Sequence, residues 1–216
     1  YGSCIKNSSG KIDRVIIDTK DVRSRFIVES PMHFNVWDKI IRKEILDHNC
    51  IRFPEQVAYE DIYFGALLHL YVRKVAYVDA IYYHYYINPA STVLKKEAAY
   101  HGDIITVNEM LVETLKERGF WETYQKSLEI DLLFIWYLAT VKIICLRFEK
   151  PPYEMFCRLK RSILFYIPEC LKNPYIPVYM KEFYQLLLKL LEIEVTPPVL
   201  DQVAEQYKQY VQTYEG

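Results

Sequence analysis

Near Lys95 the apolar residues change their period, and that change constrains the fold more than any other feature of the chain. Before it, short β-branched and aromatic runs mix with helical ones. After it, apolar positions recur at helical spacing almost to the end, and the breaks fall at Pro151-Pro152, Pro168, Asn173-Pro174 and Pro197-Pro198. Proline lacks an N–H and clashes with the preceding turn, so each break ends a helix. The pattern predicts helices over 97–118, 121–148, 153–167, 176–193 and 198–213, the first closed by Gly119. The chain therefore divides at about residue 95 into an α/β piece, 1–95, and an all-helical piece, 96–216. Its class is α+β, mostly helical.

The first piece is less regular. Residues 1–30 read as strand and hairpin, with a turn at Asn7-Ser8-Ser9-Gly10 followed by β-branched Val15-Ile16-Ile17. Val36, Ile40, Ile41 and Ile45 predict a helix over 36–48, and a second helix follows over 61–72. Val75-Ala76-Tyr77-Val78 and Ile81-Tyr82-Tyr83 read as strands, and Asn88-Pro89-Ala90-Ser91 as a loop.

Composition narrows the function classes. Basic and acidic residues number 27 and 28, so the basic excess of a dedicated nucleic-acid binder is missing. A hydrophobic share of 51% is ample for a packed core. Tyrosine is frequent, at 20 residues. Its ring buries apolar area and keeps a polar tip, which suits helix packing and carbohydrate sites alike. Cys4, Cys50, Cys145, Cys157 and Cys170 are odd in number and contain no Cys-x-x-Cys, so neither a disulfide framework nor a zinc site is indicated. Reduced thiols in a cytoplasmic protein are the expectation. Residues 132–141 are the most apolar run and fall short of the about 20 needed to span a bilayer. No stretch reads as a signal peptide, and the opening Tyr1-Gly2-Ser3 reads as the inside of a longer polypeptide.

Three constellations could carry chemistry. Tyr59-Glu60-Asp61 stands directly before a predicted helix. Carboxylates there can serve as caps that meet the helix dipole, or as a general base at the mouth of a cleft. Trp37-Asp38-Lys39-Ile40-Ile41-Arg42-Lys43-Glu44 places Asp38 and Arg42 four apart, where a helix would pair them on its surface. Tyr82-Tyr83-His84-Tyr85-Tyr86, followed by Ser91-Thr92, would put His84 on one strand face with Tyr82 and Tyr86. A lone histidine among aromatics usually packs. The histidines at 33, 48, 69, 84 and 101 show no metal-ligand spacing. There is no G-x-S-x-G, and with six glycines there is little material for a phosphate-cradling loop.

In order along the chain, these pieces resemble bacterial family-2 glycosyltransferases of the GT-A fold. Residues 37–46 resemble the family's W-N-K-[LI]-[YF]-[RK]-[RK]-E-[LF]-L segment. Ile51-Arg52-Phe53-Pro54-Glu55 resembles I-R-F-P-E, and Tyr59-Glu60-Asp61-Ile62-Tyr63-Phe64 resembles Y-E-D-[VL]-x-F. Val75-Ala76-Tyr77-Val78-Asp79, Ile81-Tyr82-Tyr83 and Ser91-Thr92 resemble the closing strands and the loop beyond. The likeness covers roughly residues 35–93, with a weak echo at Lys172-Asn173-Pro174-Tyr175.

The resemblance implies an incomplete GT-A α/β remnant, the acceptor side of the domain, followed by a C-terminal helical bundle. It implies inverting transfer of a sugar from a nucleotide-sugar donor to a glycan acceptor hydroxyl, in bacterial cell-surface polysaccharide synthesis. Asp61 would be the catalytic base and Glu60 would orient it or the acceptor. Trp37 would face a sugar ring, Lys39 and Arg42 would contact diphosphate or acceptor, and His84 and Ser91 would belong to the substrate site. Asp38 departs from the family's asparagine, and the arginine often found after the tyrosine pair is absent. No D-x-D occurs, so the Mg²⁺ or Mn²⁺ of the full-length enzyme, and its nucleotide-binding half, are expected outside this chain. The chain alone would then be inactive, hold no cofactor, and expose an apolar face that favours a homodimer. A cytoplasmic location, with peripheral association at the inner face of the membrane, completes that expectation, and no nucleic-acid partner is expected. The competing class is a non-catalytic helical interaction module, in which the tyrosines pack against protein.

Overall fold

Two strands far apart in sequence open the α/β piece. β1 (Ile12–Ile16) pairs antiparallel with β2 (Lys74–Val78), Ile12 opposite Val78 and Ile16 opposite Lys74. The backbone bonds Ile17 N to Arg73 O (2.8 Å) and Asp79 N to Lys11 O (2.9 Å) extend the ladder at both ends. Val15, Val75 and Tyr77 lie against the core, while Ile12, Ile16 and Val78 stay exposed on the other face. The computed structural model describes residues 11–29, 34–84, 86, 88, 91, 92 and 95–214. The turn expected at residues 7–10, Cys4 and His33 lie outside them.

Several sequence expectations change in this piece. The hairpin expected over residues 1–30 gives way to one strand and a helix, α1 (Lys20–Glu29). Thr19 starts it: its hydroxyl accepts the Val22 N–H at 3.2 Å and its carbonyl accepts from Arg23 at 3.0 Å. The helix expected over 36–48 shrinks to α2 (Lys43–His48), entered from an extended Arg42 (φ −65°, ψ 125°). Val36 and Ile41 reach the core from the irregular segment while Ile40 is fully exposed, so the three do not share one buried helical face. Residues 81–84 form no strand. His84 therefore does not share a strand face with Tyr82 and Tyr86.

α3 (Glu60–Tyr71) forms nearly as its apolar spacing predicts and buries residues 64–70. It packs beside α1, where the buried Arg23 guanidinium donates to the His69 carbonyl at 2.6 Å. Burial pushes that guanidinium's pKa down. The His69 ring lies between Phe26 (5.6 Å) and Phe34 (5.2 Å). Gly65 admits Phe34, since a Cβ there would lie 2.6 Å from Phe34 Cδ1 and 2.9 Å from its Cα.

From Ala99 onward every described regular element is helical. A 3₁₀ turn (Ala99–Gly102) leads into α4 (Asp103–Glu117), closed by Gly119 at φ 71°. The long helix expected over 121–148 is α5 (Phe120–Leu132), a π-helical segment (Leu133–Leu138) and α6 (Ala139–Leu146). α7 (Tyr153–Tyr166) follows as predicted. The helix expected over 176–193 breaks into α8 (Ile176–Tyr179), α9 (Glu182–Leu188) and a 3₁₀ turn (Lys189–Leu191), because Met180 and Lys181 are extended. α10 (Pro197–Tyr214) closes the described chain.

One apolar core runs from Ile17 to Tyr207, with Trp136, Tyr137 and Phe156 among its fully buried side chains. It is continuous across Lys95, so the two pieces share it. α4 and α7 are further joined by Arg158 to Thr106 (2.9 Å) and Glu109 (2.8 Å), Ser162 to Glu109 (2.5 Å), and Tyr166 to Glu113 (2.7 Å). No helix among the described residues is long and apolar enough to cross a membrane.

Candidate functional site

The start of α3 gathers the titratable groups of interest. Tyr59 adopts the left-handed conformation (φ 66°, ψ 24°) and turns the chain into the helix, its carbonyl accepting from Ile62 N at 3.1 Å. A tyrosine there is strained and needs support from its surroundings. His101, fully buried, supplies it. Tyr59 Oη lies 2.5 Å from His101 Nδ1, and His101 Nε2 lies 2.8 Å from the Lys95 carbonyl. A carbonyl only accepts, so Nε2 carries the proton, Nδ1 presents a lone pair and Tyr59 donates to it. Burial pushes the Tyr59 phenol up to about 12, with Tyr100, Asp103 and Asp61 adding to the effect and Arg147 opposing it. The phenol therefore stays protonated at neutral pH.

More of the helical piece closes on this turn. Asp103 accepts the Ala58 N–H at 3.0 Å. Tyr100 and Phe148 pack on the His101 ring at 4.8 and 5.7 Å. Tyr100 also donates to the Thr92 carbonyl, which ties the Ser91-Thr92 loop to the same neighbourhood. Ser91 is half-buried and its N–H reaches the Asn88 carbonyl at 2.9 Å. His101, Tyr100 and Asp103 were not singled out from sequence. Their one local signal is that Tyr100-His101-Gly102-Asp103 opens the first helix of the second piece.

Glu60 and Asp61 sit in the first turn of α3, at the positive end of its dipole. Glu60 is exposed and Asp61 half-buried. Burial raises the Asp61 pKa, and the Glu60 charge raises it further. Hydrogen bonds from the Ile62 N–H and its own N–H pull the other way without cancelling the shift. Asp61 is thus a carboxyl with lowered acidity that still reaches solvent, the condition a proton acceptor needs near neutral pH.

The other expected site residues are dispersed. Trp37 stacks on Tyr83 at 4.7 Å and 28°, and both rings are about half exposed (45% and 49%). Lys39 is folded back onto the Asn35 carbonyl and Asp38, the latter at 2.5 Å, so its ammonium is committed locally. Burial would raise the Asp38 pKa, but hydrogen bonds from Lys39 and Asn35 and the Lys39 charge bring it below the usual value. The expected Asp38–Arg42 pair is therefore not made. Arg42 is exposed and pairs with no carboxylate among the described residues. His84 is exposed.

Two cavities, of 320 and 430 Å³, lie in the helical piece, and neither is lined by any of these residues. The larger, between residues 97–105 and 148–158, touches Phe148, whose ring packs on His101. Among the described residues no group of three or more His, Cys, Asp or Glu is placed to hold a metal ion. Burial pushes the Cys145 and Cys170 thiols up to about 12, which keeps them protonated and unreactive. Compared with known proteins, the chain matches no protein-family model, no curated protein and no solved structure.

Proposed function

We propose that this chain is the acceptor-side and helical portion of an inverting glycosyltransferase, working at the cytoplasmic face of the membrane in cell-surface polysaccharide synthesis. The observation that carries the reading is Asp61. It is a half-buried carboxyl of raised pKa, held at a helix start by a left-handed tyrosine that a buried histidine supports. In the proposed reaction Asp61 takes the proton of the acceptor hydroxyl as that oxygen attacks the anomeric carbon. The bond from that carbon to the nucleotide phosphate breaks with inversion. Glu60 keeps Asp61 basic by its charge. The Trp37–Tyr83 stack offers aromatic faces for the acceptor sugar, and exposed Arg42 and His84, with Ser91, are available as polar contacts.

A Mg²⁺ or Mn²⁺ and the donor diphosphate need ligands that do not fit the residues present. The sequence has no D-x-D, and among the described residues no His, Cys, Asp or Glu cluster is placed to hold the ion. The chain by itself is expected to transfer no sugar, because the clamp on the leaving group is usually a large part of catalysis. The test is sugar transfer by the complete polypeptide. Asp61→Asn is expected to lower turnover about 10²-fold or more, and turnover at the parental rate would reject the assignment.

A second reading, a non-catalytic interaction module, is favoured by one observation. Ile40, Tyr82 and Tyr86 are exposed by 105%, 83% and 82%, and Ile12 and Ile16 lie open on the sheet. Such surface favours association, including a homodimer of this chain. Under that reading the Asp61→Asn variant leaves every measurable activity unchanged.

A further inference from the structure

The polar ladder between α4 and α7 ends at the cavity of 320 Å³. That is the small end of the roughly 300–1,000 Å³ range of small-molecule sites. Lys116 of α4, Trp121, Gln125 and Glu129 of α5, and Phe165 and Tyr166 at the end of α7 line it.

Two of these groups hold unusual positions. Glu129 is only 4% exposed, yet no cation pairs with it among the described residues. Its Oε1 accepts from Gln125 Nε2 at 2.9 Å and its Oε2 from Asn173 Nδ2 at 2.8 Å. A carboxylate oxygen can accept a second donor, so each retains capacity. The Lys116 ammonium lies 5.4 Å from the Trp121 ring centroid and 5.5 Å from that of Tyr166. It makes no ion pair among the described residues, so its N–H donors are uncommitted. At the rim, Phe165 is 77% exposed, edge-on to Tyr166 at 5.0 Å.

A matching ligand must donate to a carboxylate, accept from an ammonium and lay an apolar surface on aromatic rings. Sugar hydroxyls both donate and accept, and the C–H face of a pyranose supplies the third property. Net charge of either sign is disfavoured: an anion meets Glu129, a cation meets Lys116, and Glu169, which also lines the cavity, is offset by Lys172 at 2.6 Å. We infer that this cavity binds one neutral pyranose ring. The inference does not rest on the role proposed for Asp61, since the cavity shares no residue with that site.

The test is ¹⁵N-detected NMR titration of the chain with the methyl pyranosides of glucose, galactose and mannose, and with glucuronate as the charged comparison. At least one neutral pyranoside is expected to shift the Trp121 indole N–H and the Gln125 side-chain amide saturably. Phe165→Ala, at an exposed position that cannot disturb the core, is expected to weaken that binding at least about 10-fold, with the buried Trp136 indole resonance unmoved. The inference is overturned if no neutral pyranoside produces these shifts, if Phe165→Ala leaves them intact, or if glucuronate binds more tightly.

Discussion

Tyr59 Oη and His101 Nδ1 are 2.5 Å apart, and the bond joins residues 42 positions apart in sequence. It fastens the turn that starts α3 to the first turn of the helical piece. Tyr59→Phe keeps the ring and removes only the donor, leaving a buried imidazole nitrogen without a partner. Such a loss costs about 1–3 kcal/mol. Chemical denaturation is expected to show a loss of that size, and ¹⁵N chemical shifts of the parent to show His101 as the neutral Nε2–H tautomer. A stability unchanged by the substitution would mean that the bond does not support the turn.

Gly65 and Gly102 make a matched pair. An alanine Cβ at 65 would collide with the Phe34 backbone as well as its ring, while at 102 nothing lies within 4 Å. Gly65→Ala is expected to destabilise by about 1–3 kcal/mol through overpacking, a fall of roughly 2–4 °C in Tm per kcal/mol for a chain of this size. Gly102 has ordinary helical angles (φ −71°, ψ −18°). Gly102→Ala is therefore expected to be neutral, or to stabilise by up to about 1 kcal/mol by restricting the unfolded chain. Thermal melts of the two variants check both.

Elements whose buried face follows a simple period were legible in the sequence. α3, β2, α7 and α10 lie within a few residues of their predicted places, while α4, expected from residue 97, begins only at Asp103 after a 3₁₀ turn. α1 was missed because its buried side includes Arg23, which satisfies itself on the His69 carbonyl, so its apolar stripe is interrupted. The region 36–42 was overread because Val36, Ile40 and Ile41 keep helical spacing although Ile40 faces solvent. The π-helical segment at 133–138 could not be read, since its residues are apolar on every side. In the candidate site, Glu60-Asp61 were legible as carboxylates before a helix. His101 was not, because its value lies in a contact with a residue distant in sequence.

Asp131, within α5, is pushed up to about 8 by burial. An unfolded aspartate titrates near 4. The folded chain therefore holds a proton that the unfolded chain releases, and stability falls as pH rises across about pH 4 to 8. Asp131 keeps part of its surface, so water relaxes around the ionised form and only a fraction of that cost is felt. Asp131→Asn is expected to match the parent near pH 4 and to exceed it by roughly 2 kcal/mol near pH 8. Denaturation midpoints of both proteins across that range test this, and parallel curves would place the carboxyl in solvent.

Asp61 separates a catalytic role from a structural one, because the two predict different signs. Its folded pKa is raised by burial and by Glu60, so the ionised form is the less favourable one in the fold. Above the unfolded value near 4 that preference costs stability as pH rises. Asparagine carries no charge and has nearly the same shape, and the N-cap of α3 is Tyr59, whose carbonyl takes the Ile62 N–H at 3.1 Å. At neutral pH Asp61→Asn should therefore keep or slightly raise stability, whereas an essential cap would lose about 1 kcal/mol. Turnover by the complete polypeptide should meanwhile fall about 10²-fold or more. The acid limb of the parental pH–rate profile, displaced upward from an ordinary aspartate, should vanish in the variant. A base retained at a cost to stability predicts rising stability with falling rate. If instead stability drops and the rate holds, Asp61 serves only to start α3.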